Sequence, residues 1–369
     1  LKSLINHQFL IDDLQITTKE VKANDIISFL RIFNDSPKFF ILNTLIKSGF
    51  VTANVNLNFD EKGKIKEDYK IIGSVKKVKL NFLNQVKLQN VNFNFNLNKN
   101  TYSLKRIDMK LNKVKINSPL IEIKKKKNFF FVNGQFLSDN KNFDADELKP
   151  ILANLIDVID IQKIEFSTKN SFSFKVNESL KFDDFKVKSI VNLEQLIIKK
   201  KNLRLKPYFP SFVEEIKFEG HKIVVNYNKN KFDIKGSGNI LLEDKFDSLS
   251  YQLIKDKNNL FFDTKIKIKN NPLRIDFLDY KKKGGISSLF SIKGNFKKDY
   301  KIRFDLLNLK EENNEISITG LVLNKNLKIV DIKNFNFDYK NNKKILNKLN
   351  LKKDNSNFII AGESFDASK

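Results

Sequence analysis

The sequence predicts a mainly β protein: one long, curved antiparallel meander whose apolar face forms an open hydrophobic groove, accompanied by a few short amphipathic helices. Three observations lead there. Val51, Ala53, Val55, Leu57 and Phe59 alternate with Thr52, Asn54, Asn56, Asn58 and Asp60, and Val91, Phe93, Phe95 and Leu97 alternate with four asparagines. Successive strand side chains point to opposite faces, so such segments carry one oily and one wet face. Strand starts recur roughly every 10 to 14 residues, the rhythm of a meander and not of βαβ units. Only 12 Gly and 6 Pro occur in 369 residues, with no Pro/Gly/Ser-rich linker. The whole chain, 1–369, therefore reads as a single elongated unit, whereas a β-sandwich holds about 100 residues with frequent Gly and Pro at its turns.

After an opening strand-like stretch, residues 25–48 read as two short helices. Ile26, Ile27, Leu30 and Phe33 share a helical face, Ser36 can cap a second helix with Pro37 in its first turn, and Gly49 suits its end. From Phe50 to about Phe136 the period becomes two, with turns expected at 60–63, 98–100 and 117–119. A third helix is predicted over 147–160, where Leu148, Ile151, Leu152, Leu155, Ile156 and Ile159 form one stripe. Asp144 or Asp146 is its expected cap.

Strands resume at 164–166, 172–176 and 185–198, and Pro207-Tyr208-Phe209-Pro210 interrupts them. Further strands follow at 223–227, 232–234, 260–268, 286–292, 302–306, 316–323, 327–339 and 358–361. Asn-Lys-rich turns at 228–230, 256–259 and 324–326 separate several of them. Phe131–Phe136 leading to Phe143-Asp144-Ala145 is echoed by Ile359–Ser364 leading to Phe365-Asp366-Ala367. Both copies read as strand, glycine, turn, then Phe-Asp-Ala at a helix start, which suggests a structural repeat.

The chemical inventory points away from catalysis. Cysteine is absent, which excludes disulfides, thiolate metal sites and a cysteine nucleophile. His7 and His221 lack metal-ligand spacing, and His221, after Gly220, reads as an exposed turn histidine. The pairs Asp12-Asp13, Asp183-Asp184, Glu214-Glu215 and Glu311-Glu312 are sequence neighbours, which a strand sends to opposite faces. Gly236-Ser237-Gly238 and Gly284-Gly285 match no phosphate loop and read as turns or bulges. No cofactor is implied.

The net charge of +25 invites a nucleic-acid reading, but only five of the 68 basic residues are Arg, the side chain suited to bidentate phosphate and base contacts. Nucleic acid is therefore not the expected partner, and Lys reads as the solvating residue of the wet face. The basic runs 124–127, 199–201 and 281–283 lie at strand ends. No run of 18 or more apolar residues occurs, so no membrane-spanning helix is expected within this stretch. Because the chain begins at Leu1 and stops after a motif, it reads as a fragment with any anchor outside it.

Gly362-Glu363-Ser364-Phe365-Asp366-Ala367-Ser368 resembles the Gly-x-Ser-Phe-Asp-x-Ser element of the AsmA-like family, in particular its YhdP-type members, with TamB more distant. Lys47–Ala53 and Asp68–Val75 are similar too. The resemblance implies a repeating β-groove, inner-membrane anchoring in the periplasm of a Gram-negative cell, and a non-enzymatic bridge for phospholipid. Its partners would be acyl chains, sheltered by about 0.8 kcal/mol per CH₂. The expected lining is Val51, Val55, Leu57 and Phe59, then Val91, Phe93, Phe95 and Leu97. It continues with Phe172, Phe174, Ile266, Ile268, Phe335 and Phe337. The alternative is a scaffold or assembly factor of outer-membrane biogenesis that pairs strand edges with clients.

Overall fold

The computed structural model describes residues 12–33, 43–82, 86–111, 114–143, 160–177, 179, 181–199, 205–257, 259–296, 301–355 and 357–367. It is mainly β: 21 strands belong to one antiparallel sheet that does not close into a barrel, and two more form a separate hairpin. Two compact units are delimited. The first holds residues 1–140, 147–151 and 167–187; the second holds 141–146, 152–166 and 188–369.

In the first unit, β1 (Asp13–Thr17) and β2 (Val21–Lys22) both pair with β3 (Ile46–Asn58). Successive antiparallel pairs then join β3, β4 (Lys70–Phe82), β5 (Val86–Leu97), β6 (Thr101–Leu111), β7 (Val114–Lys125) and β8 (Phe129–Phe143). β9 (Asp160–Asn177) and β10 (Phe182–Lys199), each with residues in both units, pair with each other and are the longest described strands, at 18 residues each. The helix α1 (Ala23–Phe33) buries Ala23 and Ile27, and places Asp25 in its first turn and Arg31 in its last, as the helix dipole favours.

Several expectations are corrected here. Helix was expected to continue to residue 48, but Ile46–Ser48 open β3, and Gly49 lies inside that strand at φ 138°. Residues 34–42, with the Ser36-Pro37 cap, lie outside the described residues, as do 144–159, which include nearly all of the third expected helix. Asp160, expected as the end of that helix, begins β9. The turn expected at 117–119 is the interior of β7. Pro119 has no N–H for a ladder, and it sits where the β7–β8 register shifts between Asn117 and Ile121, so the strand tolerates it. The turn expected between Phe136 and Phe143 is absent because β8 runs through it, and 365–367 are not helical.

That irregularity in β7 has counterparts on neighbouring strands. Register shifts fall between Ser48 and Phe50 on β3, Val75 and Val78 on β4, and Gln89 and Asn92 on β5. Gly49, Lys77, Asn90 and Arg106 all adopt positive φ along this line. The bulges therefore stack strand upon strand, each re-aiming its side chains at the same level.

The second unit carries β11 (Glu215–Asn228), β12 (Lys231–Leu241), β13 (Phe246–Asp256) and β14 (Asn259–Ile268) as consecutive hairpins. A hairpin of β15 (Leu273–Ile275) and β16 (Tyr280–Lys282) is inserted before β17 (Ser288–Phe296) resumes the sheet beside β14. β18 (Ile302–Glu311) and β19 (Asn314–Leu323) follow, then β21 (Asn334–Lys340), β22 (Leu346–Asp354) and β23 (Asn357–Ser364), while the short β20 (Ile329–Asp331) pairs with the end of β19. The single strand expected over 327–339 is thus two. The turns at 228–230 and 324–326 stand as expected, while Asn258 of the turn expected at 256–259 lies outside the described residues; Asn324 Oδ1 accepts the N–H groups of Asn326 and Lys328 at 2.9 and 3.1 Å.

Candidate functional site

Ladder partners share a face, so the pairings show which side chains line up. In the first unit one row runs Ile16, Val55, Ile71, Leu97, Tyr102, Ile123 and Val132. Beside it runs Ala53, Gly73, Phe95, Leu104, Ile121 and Gly134, and beside that Val21, Val51, Val75 and Phe93. Leu57 pairs with Leu14, and Val91 with Val78. Phe59 follows the last residue of β3 and bridges to Ile65. Phe172 approaches Gly134 so closely that a Cβ there would meet its ring at 2.8 Å, and it stacks on Phe136 at 4.9 Å and on Phe174 at 6.1 Å. Among Phe129, Phe130 and Phe131, where alternation lapses, Phe130 pairs with Lys125 and Phe131 with Lys124; Phe130 shares the parity of Val132.

The second unit repeats the pattern. Leu249, Ile266, Phe290, Leu309, Ile316, Phe337 and Leu349 are successive partners. Tyr251, Thr264, Ile292, Leu307, Ile318, Phe335, Leu351 and Ile360 form the adjacent row. The opposite face carries Ser250, Lys265, Ser291, Asn308, Ser317, Asn336 and Asn350. Many row residues in both units are only half-buried. In the second unit Tyr251, Ile266, Phe290, Phe335 and Leu349 owe part of their burial to the buried cluster against which they pack.

One rim of the second unit's apolar face is sealed. Ile240, Leu249, Ile268, Leu309, Ile316 and Phe337 pack in one buried cluster with Phe209, Phe212, Leu273, Leu278 and Tyr280. The last five come from the 205–213 turn and the inserted hairpin, which together cap this rim. In this unit the closure comes from an aromatic turn and a two-stranded insert.

Polar latches hold the cap. Tyr339 Oη donates to Leu278 O at 2.6 Å, Tyr280 Oη donates to Glu311 Oε2, and Asn342 N–H donates to Asp279 O at 2.8 Å. The Tyr280 and Tyr339 rings meet edge to face at 6.0 Å. Burial pushes the Tyr339 phenol up to about 12, with the Asp279 and Asp366 charges adding to it; burial and then Glu311 raise that of Tyr280 further. Lys282, 2 % exposed, donates to the carbonyls of Asn271, Ile286 and Lys283 at 2.7, 3.0 and 3.1 Å. Burial lowers its pKa, while Asp247 and Glu311 oppose that shift. Asp247 Oδ1 accepts the N–H groups of Lys269 and Asn270, both at 2.8 Å, which compensates its own burial.

His221 corrects its expectation most clearly. It is 1 % exposed and inside β11, beside a bulge at Gly220 with φ 63°. Its Nε2–H donates to Asn239 O at 2.9 Å, and burial depresses its pKa. Gly236 and Gly238, expected in a turn or bulge, are strand residues of β12 whose missing side chains make room for Tyr251 and His221. A Cβ would lie 2.4 Å from the Tyr251 ring at Gly236 and 2.3 Å from His221 Cδ2 at Gly238.

The other rim lacks such a cover among the described residues. Ile329, Val330, Ile332 and Phe358 line a recess of ≈ 650 Å³ there, beside the Lys353–Asp331 ion pair at 2.5 Å. Ile360 at the end of its row is 63 % exposed. Among the described residues no three His, Cys, Asp or Glu side chains gather as a metal site, and no helix is long and apolar enough to cross a membrane. Comparison with protein families, with curated proteins and with solved structures returned no match.

Proposed function

We propose that the chain carries phospholipid between membranes of a Gram-negative envelope, as a periplasmic member of the AsmA-like family anchored to the inner membrane outside this sequence. Acyl chains lie on the apolar rows while headgroups stay in water, and the work is passive. The observation that carries this reading is the long apolar rows of each unit, in register across six or more strands, whose residues outside the capped row of Leu249 are mostly only half-buried. Contiguous apolar surface of this extent marks a binding face for hydrocarbon or protein. Each CH₂ laid on it is favoured by about 0.8 kcal/mol over water, and similar neighbours along a row let a tail slide without large barriers.

Organic extraction of the purified chain followed by mass spectrometry tests the proposal. Phospholipid is expected in the wild type. It should be lost from a variant carrying Val55→Asp, Leu57→Asp, Phe93→Asp and Phe95→Asp, and kept when Asn54, Asn56, Asn92 and Asn94 of the opposite face become Asp. Equal lipid in both variants would refute the proposal. The alternative, an assembly factor working through a strand edge, draws support from β23, exposed along its length. It predicts no extracted lipid and capture of extended peptides by that edge.

A further inference from the structure

Basic residues of the wet face are mostly scattered, but in the first unit four converge. A recess of ≈ 630 Å³ is lined by Lys22, Lys47, Lys77 and Lys79, with Ser48 and Phe50 between them. Gly49, Asn24 and Asn90 complete its wall, and no carboxylate contributes. It opens on the face opposite the apolar rows: Lys22 pairs with Phe50 while the adjacent Val21 pairs with Val51, and Ser48 pairs with Lys79. The stacked bulges build it. The shift between Val75 and Val78 inserts an extra residue into β4, so Lys77 and Lys79 both flank the buried Val78 on its outer side. The bulge is held by Lys77 N–H donating to Asn92 Oδ1 at 2.9 Å.

None of the four lysines has an ion-pair partner among the described residues, whereas Lys348, Lys353 and Lys293 elsewhere on strands are paired with Glu363, Asp331 and Asp263. Four ammonium groups around one recess, with no carboxylate in its wall, repel one another. A multiply charged anion relieves that repulsion. Lysine supplies point-charge donors for it, and the Ser48 hydroxyl a neutral one. A second recess on the wet face, lined by Lys222, Lys235 and Lys265, is a weaker candidate because Asp263 is part of its wall.

We infer that the recess of Lys22, Lys47, Lys77 and Lys79 binds a phosphate group, presented either as a free ion or on a lipid headgroup. The site is independent of the acyl-chain proposal, since it occupies the other face. Calorimetric titration of the whole chain with inorganic phosphate, and flotation with phosphatidylcholine vesicles containing phosphatidic acid, separate the two sources. Lys77→Gln with Lys79→Gln should weaken binding about tenfold or more in whichever arm is real, and Ser48→Asp should do the same with all four lysines kept. Lys325→Gln with Lys328→Gln, removing equal charge from an exposed turn of the second unit, should leave it unchanged. All these side chains are exposed or half-buried, and unaltered urea midpoints will show that the fold persists. No binding by the wild type in either arm, or equal weakening by both lysine pairs as diffuse attraction to a +25 chain requires, overturns the inference.

Discussion

Tyr339→Phe tests the cap of the second unit with a single atom. The Tyr339 hydroxyl, on a residue 1 % exposed, is the donor to Leu278 O, and the Leu278 residue is itself buried. Phenylalanine keeps the ring, its 6.0 Å edge contact with Tyr280 and the packing, but leaves a buried carbonyl without its donor. Orphaning such a group costs about 1–3 kcal/mol. The loss falls on a local opening, because the hairpin of β15 and β16 pairs with no sheet strand. Native-state hydrogen exchange of amides in 273–282 should therefore quicken about five- to hundredfold, at about 1.4 kcal/mol per factor of ten, while the ladder amides of β13 and β14 hold. Tyr227→Phe is the control: its hydroxyl donates to Asn230 Oδ1 at an exposed turn, and little should change. A pH series adds a signed check. With its folded pKa raised to about 12, against about 10 unfolded, Tyr339 stabilises fully below pH 10 and loses about 1.4 kcal/mol per pH unit up to 12. That slope should shrink in the Phe variant. Unchanged exchange in 273–282, with unchanged alkaline stability, would refute the latch.

Two further outcomes follow from buried charge and from burial of a base. Lys282→Met should lower the urea midpoint of the second unit by the equivalent of roughly 2–5 kcal/mol, because three carbonyls lose their donor and Asp247 and Glu311 lose a nearby cation; a neutral result would mean that the ammonium is dispensable. His221 has a folded pKa below its ordinary value, so its contribution is complete above about pH 6.5 and declines as pH falls through the folded pKa. The thermal midpoint should drop on acidification across that window, and His221→Phe should flatten the drop; identical profiles for both proteins would count against a buried neutral imidazole.

What the sequence displayed and what it hid divide along a physical line. Period-two segments such as 51–58 and 91–97 were readable because each strand's two faces are set by its own residues, and their rows appear as the alternation implied. The strand at 246–256 was missed although Leu249, Tyr251 and Leu253 alternate with Ser250 and Gln252, because its first residues, around buried Asp247, lack an apolar pattern. β22 was missed for a similar reason: in Leu346–Asp354 only Leu349 and Leu351 belong to the apolar rows. The cap was invisible in principle. Its strands are three residues long, and its latch joins Leu278 to Tyr339, 61 positions away. His221 was misread because exposure was inferred from residue type and a preceding glycine, whereas Gly238 on the neighbouring strand vacates the space that the imidazole fills.

The sealed rim and the half-buried rows have opposite energetic logic. At the cap, polar groups that lose water are met by protein partners: Lys282 by three carbonyls, Asp247 by two backbone N–H groups, Tyr339 by one carbonyl. That is the pattern of an end wall, fixed in one geometry because each unmade bond is expensive. Along the rows polar side chains are few, namely the hydroxyls of Tyr102, Tyr251 and Thr264. Ile292, Leu307, Ile318 and Phe335 touch their neighbours across the ladder and keep part of their surface free. Such a face specifies no single occupant by hydrogen bonding, and any hydrocarbon of sufficient length satisfies it about equally well. A ligand's position there is set by where the wall stands and where the rim is open. Under the lipid proposal, the cap closes the second unit's face at one rim, and a tail enters from the other, where Ile329, Val330 and Phe358 are exposed.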